Sequence, residues 1–312
     1  MNQLFQCHFQ AMGGPAELQF YTVSQEEAHA IGQLTKEEVQ RIEEKYSRYR
    51  PDSIVSRINA SAGKDALEVD EETASLIDYA QTTYEQSDGL FDITSGIFRR
   101  VWNFKEKHIP LQKDIESILS LVGWEHVEWD RPFIRLRHEG MEIDFGGFGK
   151  EYAVDAACRV LAEQGIQHGL VNFAGDLRAL GPHADGTPWM VGITHPRKQN
   201  QVKGYVQLTR GALATSGDYE RFIEVDGTRY CHIINPKTGW PIDTFQSVTT
   251  LTQSCLVAGS LSTIAMLFGG IKAKKLLDQD EVSSIIIDQK GDISFLPKSF
   301  AMKVTQSHSK KS

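Results

Sequence analysis

Between residues 168 and 233 the chain consists largely of short strand-like segments, and this stretch limits the fold more than any other. Residues 169–173, 189–194, 204–208 and 222–225 read as strands, and Asp226-Gly227 is a hairpin signal because both residues tolerate a left-handed turn. Beyond the Pro241 turn, residues 248–251 read as another strand, 255–268 as an apolar helix and 272–277 as a second helix. Two strands, 285–288 and 293–296, flank Gln289-Lys290-Gly291-Asp292 as a closing hairpin.

Helices also precede the strand-rich part. After a strand at 17–22, Ser24-Gln25-Glu26-Glu27 opens a helix with an N-cap and early acids, expected to break at Gly32 and end near Tyr46. A second helix is capped near Asp70, carries Leu76, Ile77, Tyr79, Ala80 and Tyr84 on one side, and stops before Gly89. No linker, low-complexity insert or fixed repeat interrupts this order. The expectation is a single α+β domain over residues 1–303, with a mixed, largely antiparallel sheet flanked by helices and a disordered polar tail at 304–312.

Composition narrows the function classes. With 40% hydrophobic and 24% charged residues among 312, the chain can bury a sizeable core. A formal net charge of -8 argues against a general nucleic-acid surface, which needs a dense basic face. Cys7, Cys158, Cys231 and Cys255 form no CxxC pair, so neither a zinc site nor a disulfide framework is expected. Residues 1–10 carry no basic and apolar leader pattern, and no run is long enough to span a membrane, so the expected location is cytoplasmic.

Chemistry concentrates in two runs, Ala214-Thr215-Ser216-Gly217-Asp218-Tyr219 and Tyr230-Cys231-His232-Ile233-Ile234-Asn235-Pro236-Lys237-Thr238-Gly239-Trp240-Pro241. They bring a His, hydroxyls, an acid and backbone donors together, the ingredients of a phosphate-handling site. An imidazole near neutrality can relay a proton, which singles out His232; strand alternation sends its neighbour Cys231 to the opposite face. A short strand at 139–144 is expected to feed Gly146-Gly147-Phe148-Gly149 and a helix from Tyr152 to Gln164, an order that suits phosphate. The turn matches neither GxxxxGK[ST] nor GxGxxG, and its glycines alone are also explained by a tight turn.

As an ordered set, these segments resemble the FAD:protein FMN transferase (ApbE-type) family. Further matching segments are Ala11-Met12-Gly13-Gly14, Ser47-Arg48-Tyr49-Arg50-Pro51-Asp52-Ser53, Gly89-Leu90-Phe91-Asp92-Ile93-Thr94-Ser95-Gly96, Ile143-Asp144-Phe145-Gly146-Gly147-Phe148-Gly149-Lys150 and Asn172-Phe173-Ala174-Gly175-Asp176-Leu177. The resemblance implies an enzyme that moves FMN from FAD onto a Thr or Ser of an acceptor protein and releases AMP. It implies catalysis by His232 and FAD contacts from Met12, Tyr49, Leu90, Phe91, Asp92, Asp144, Lys150, Thr215, Ser216, Gly217, Asp218, Ile233 and Thr238. It also implies Mg²⁺ held by a Gly147 carbonyl, Ser262 and Thr263. Relatives of this kind are often exported or lipid-anchored.

One position departs from the pattern. Where the family reads Ala-Asp-Ala-Leu-x-Thr, this chain reads Ala258-Gly259-Ser260-Leu261-Ser262-Thr263, so the metal's carboxylate is replaced by Gly259. Two alternatives to transfer follow: an FAD-binding protein with weakened or lost turnover, and an enzyme that hydrolyses FAD to FMN and AMP.

Overall fold

The computed structural model describes residues 2–106, 108–297 and 304–306, the last three as backbone only. The chain starts with a hairpin of β1 (Gln3–Ala11) and β2 (Gly14–Thr22), turned by Met12 and Gly13 at φ 53° and 77°. α1 (Gln25–Tyr46) follows, capped by the Ser24 hydroxyl, which accepts from the Glu27 amide. It runs through Gly32 without the expected break, because the absent side chain faces Cys7 of β1 and nothing interrupts the backbone ladder. Next come α2 (Ile54–Ala60), β3 (Leu67–Glu68), α3 (Glu71–Gln86) capped by Asp70, and a 3₁₀ turn at Ile93–Arg100. α4 (Gln112–Leu119), β4 (Val127–Asp130) and β5 (Phe133–Leu136) complete this part.

The second half opens with α5 (Gly149–Glu163), then β6 (Gly169–Phe173), β7 (Asp176–Gly181), β8 (Trp189–Thr194) and β9 (Val202–Leu208). β10 (Gly211–Gly217), β11 (Phe222–Val225), β12 (Thr228–Cys231) and β13 (Phe245–Thr252) lead to α6 (Cys255–Phe268) and α7 (Gly270–Leu277). β14 (Ser283–Asp288), β15 (Ile293–Leu296) and β16 (Val304–Gln306) close the chain.

Eight strands form the central sheet in the order β1-β2-β6-β7-β10-β13-β14-β15. Every pairing among the described strands is antiparallel, so the sheet is less mixed than the sequence suggests. Alternation builds two cores on its two faces. Val171, Phe173, Ala212, Ala214 and Ile286 belong to the core shared with α1, α5 and α6. Leu170, Leu213 and Ile285, one residue out of step with these, pack with Trp189, Val191, Val206 and Leu208 of β8 and β9.

Two expectations are corrected. Residues 139–144 form no strand: the Asn59 amide grips Ile143 by donating to its carbonyl at 3.0 Å and accepting from its N–H at 2.7 Å, and the Asp144 amide donates to Ile93. Side-chain and loop partners there replace a neighbouring strand. At the other end, Val304–Gln306 pairs with β9 instead of starting a disordered tail, and residues 307–312 lie outside the described residues.

The tie between α5 and α6 positions the site. Asp155, nearly two turns into α5, accepts from the Cys255 and Leu256 amides at 2.9 and 3.0 Å and from the Ser254 hydroxyl at 2.7 Å. A carboxylate from one helix therefore caps the N-terminus of the next, which fixes their relative register.

Candidate active site

A cavity of about 900 Å³ opens between the β1–β2 turn, the start of α5, the end of β10, the segment after β12 and one face of α6. That volume lies at the upper end of small-molecule sites and suits a ligand of dinucleotide size.

One wall is ionic and rich in hydroxyls. Lys150 Nζ lies 2.6 Å from Asp176 Oδ2, and Asp176 also accepts from the Thr215 amide at 3.2 Å. Burial pushes the Lys150 ammonium down, but the Asp176 and Glu151 carboxylates outweigh it and hold the group above its ordinary value. Glu151 is 9% exposed, and its Oε2 has no hydrogen-bond partner among the described residues. Burial first, and then Asp176, raises its carboxyl above the usual range. Beside it the Ser216 hydroxyl lies 2.7 Å from Ser262 Oγ and 2.8 Å from Thr263 Oγ1, while Ser262 donates to the Gly259 carbonyl at 2.9 Å.

The facing wall carries His232, which follows the β11–β12 hairpin. Its backbone amide donates to the Arg221 carbonyl at 2.9 Å, so the open end of that hairpin sets the position of the ring. Nδ1 is buried without a partner among the described residues. Burial, then the Arg221 guanidinium, lowers the imidazole to about 4, which leaves it neutral at physiological pH. Among the described residues no carboxylate is hydrogen-bonded to the ring. Cys231, one residue away, points into the core, and burial pushes its thiol up to about 11.

Most of the residues singled out in the sequence meet at this cavity: Met12, Leu90, Phe91, Asp92, Asp144, Gly147, Lys150, Thr215, Ser216, Gly217, His232, Ile233 and Thr263 line it. Asp92 lies on the wall, but one carboxylate oxygen accepts from the Thr94 amide and hydroxyl and the other from the Trp124 amide. Asp144 is ion-paired with Arg48. Four others stand back from the lining. Ser262 lies behind Ser216, and Asp218 is buried against Arg197, which donates to both its oxygens at 2.6 Å. Thr238 is exposed in the turn that follows the lining residues 232–234, and Tyr49 is 79% exposed, with its hydroxyl accepting from Arg48.

Glu151, Arg48 and Arg221 are site residues that the sequence reading did not select. An acid in the first turn of a helix ordinarily complements the helix dipole in solvent, so Glu151 gives no outward sign of being buried. Arg48 sits inside a matched segment, and only its charge opposite Asp144 could have drawn attention to it.

Among the described residues no group of three or more His, Cys, Asp or Glu side chains could hold a metal. The donors on the ionic wall are two buried carboxylates, Glu151 and the Lys150-paired Asp176, with hydroxyls and carbonyls, all hard oxygens. That set fits Mg²⁺, which commonly keeps only one or two protein carboxylates, and does not suit a softer ion. Nor, among the described residues, is any helix long and apolar enough to cross a membrane.

A family profile described as the ApbE family matches residues 12–286. The chain is 30% identical over 256 residues to the FAD:protein FMN transferase of Escherichia coli strain K12, covering 79% of this chain and 73% of that one. It is 28% identical over 260 residues to the FAD:protein FMN transferase of Vibrio cholerae serotype O1, covering 81% and 78%. The crystal structure of the ApbE protein from Thermotoga maritima superposes with a TM-score of 0.86 at 32% identity, covering 96% of this chain and 99% of the other. The flavin transferase ApbE from Vibrio cholerae superposes at 0.85 and 25% identity, covering 96% and 100%.

Proposed function

This chain belongs to the ApbE family, and from that premise we propose that it is an FAD:protein FMN transferase, moving the FMN moiety of FAD onto a Thr or Ser hydroxyl of an acceptor protein with release of AMP. The observation that carries the reading is one cavity with a neutral imidazole on one wall, its Nδ1 unpartnered among the described residues, and an ammonium, hydroxyls and buried carboxylates on the other.

The acceptor hydroxyl approaches the FMN-side phosphorus of FAD. His232 takes its proton on a ring nitrogen, the oxygen bonds to phosphorus, and the phosphorus–oxygen bond to the adenylate phosphate breaks, its electron pair leaving with AMP. A ring already neutral needs no deprotonation before it acts, which is the use of its burial. Lys150 and the Thr215–Ser216–Gly217 backbone hold phosphate oxygens, with Asp176 keeping Lys150 charged and in place. Met12, Leu90, Phe91 and Ile233 give apolar surface for the flavin or adenine ring, and Met12 reaches it from a left-handed turn position. Gly147, Ser262 and Thr263 would hold Mg²⁺. When bound, the ion neutralises charge gathering on the pyrophosphate as AMP leaves. Asp144, Asp92, Tyr49, Asp218 and Thr238 act, in this reading, by positioning the segments that touch FAD.

Mass spectrometry of an acceptor domain incubated with this protein and FAD, in Mg²⁺ or EDTA, tests the proposal. The acceptor should gain the mass of one FMN less one water on a hydroxyl residue in Mg²⁺ and nothing in EDTA. An acceptor of unchanged mass in both would overturn it.

A further inference from the structure

Gly259 removes an acid from α6, and the space that acid would use is filled from α5. A Cβ built on Gly259 would lie 2.6 Å from Glu151 Cγ and 2.7 Å from Glu151 Oε1, closer than real Cβ contacts come. No side chain fits at 259 while Glu151 stays where it is. The two positions share one volume, and either can deliver a carboxylate there, but not both.

The register of the two helices makes this sharing systematic. Asp155 caps α6 at Cys255, Glu151 lies one turn before Asp155, and Gly259 lies one turn beyond Cys255. Ser262 and Thr263 follow Gly259 by three and four residues, on the same face of α6. The Glu151 carboxylate thus stands where a side chain at 259 would begin, on the face that carries Thr263. It is nine-tenths buried and lines the cavity, and one of its oxygens has no partner among the described residues. Its neighbour Lys150 is engaged by Asp176 at 2.6 Å.

We propose that Glu151, reaching from α5, is the anionic ligand for the Mg²⁺ of this site, in place of the acid missing at Gly259. The assignment rests on the transferase reading for the presence of a metal, and concerns which residue of this chain supplies its charge. It makes the Glu151 and Gly259 pair an exchange of carboxylate between two helices rather than the loss of a ligand.

Mn²⁺, a spectroscopically visible stand-in, is titrated into FAD-saturated protein and followed by electron paramagnetic resonance. FAD affinity in EDTA is measured separately by flavin fluorescence. Glu151→Gln should weaken Mn²⁺ by at least about tenfold, with FAD affinity in EDTA little changed. The double variant Glu151→Gly with Gly259→Asp should recover Mn²⁺ affinity to within about threefold of wild type, because the carboxylate returns from the other helix. That variant has no acid at 151, so its recovery does not depend on how well the Gln variant folds. Wild-type Mn²⁺ affinity in Glu151→Gln, or no recovery in a folded double variant, would overturn the assignment while leaving transfer to the acceptor intact. Wild-type protein that labels no acceptor would instead sink the transferase reading.

Discussion

The two walls of the cavity are built on opposite principles. On the α5 and α6 wall the polar groups other than Glu151 are held by one another: Lys150 by Asp176, Asp176 by the Thr215 amide, Ser216 by Ser262 and Thr263. On the facing wall His232 is held by its backbone, while its Nδ1 has no partner among the described residues. Paired groups make a stiff surface that can accept a fixed charge with little reorganisation. An unpaired neutral imidazole is instead free to take a proton. In the proposed reading this contrast gives phosphate binding to the first wall and proton transfer to the second.

The largest expected effect breaks the second wall alone. His232→Gln should slow covalent transfer by about 100- to 10,000-fold, the range for a lost general base. Flavin fluorescence titration should find FAD affinity within a few-fold of wild type, since the proposed reading gives the ring a proton to move and no phosphate to hold. Equal losses in rate and in FAD affinity would erase the distinction between the walls.

Lys150→Met attacks the first wall and should act on both binding and stability. It strands Asp176, 4% exposed, without its cation. Lys150 is 32% exposed and Asp176 keeps the Thr215 amide, so leaving this buried acceptor short of a donor should cost about 1–3 kcal/mol, visible as a lower denaturant midpoint, and FAD binding should weaken with it. A variant as stable as wild type would show that Asp176 does not depend on Lys150.

Acid sharpens the same comparison. Burial lowers the folded-state value of His232 to about 4 from an ordinary 6.5. Between those values the unfolded chain binds the extra proton, so this residue's contribution to stability is complete above about 6.5 and is lost as pH falls towards 4. For the same reason the acid limb of kcat/KM should fall near pH 4 and not near 6.5. Arg221 and Lys150 are the cations that press on the ring, and Arg221→Gln should move that limb upwards.

The smallest effect belongs to the hairpin that carries His232. Gly227 sits at φ 77° with nothing within 4 Å of an added Cβ, so Gly227→Ala meets only backbone strain. It should cost about 1 kcal/mol in a thermal melt and leave transfer unchanged. A drop in rate would mean that the hairpin tip, and not only its open end, sets the ring.

That hairpin also marks how far the sequence could be read. Asp226-Gly227 announces its turn directly, with both residues at positive φ, and α6 runs from Cys255 to Phe268 as its apolar pattern indicates. Helix α3 begins at the Asp70 cap expected of it. The opening β1 strand is not legible in the sequence, because Phe5, Cys7 and Phe9 are only half-buried and the Met12-Gly13 turn lacks an Asn-Gly or Asp-Gly signal. Residues 139–144 carry strand-like residues, yet their hydrogen bonds go to the side chain of Asn59 and to Ile93, partners too distant in the chain for local pattern to find. For the site, the glycine turn and the two polar runs were legible as local motifs. The relation between Glu151 and Gly259 was not, since it exists only through the register in which α5 meets α6.

The most direct test of the account is the ratio of AMP released to flavin covalently bound, measured on one reaction of protein, FAD, acceptor domain and Mg²⁺. Transfer through this cavity predicts one AMP for each flavin fixed to the acceptor, with both absent in EDTA. AMP released in excess while the flavin stays free would show that water takes the place of the acceptor hydroxyl and would contradict it.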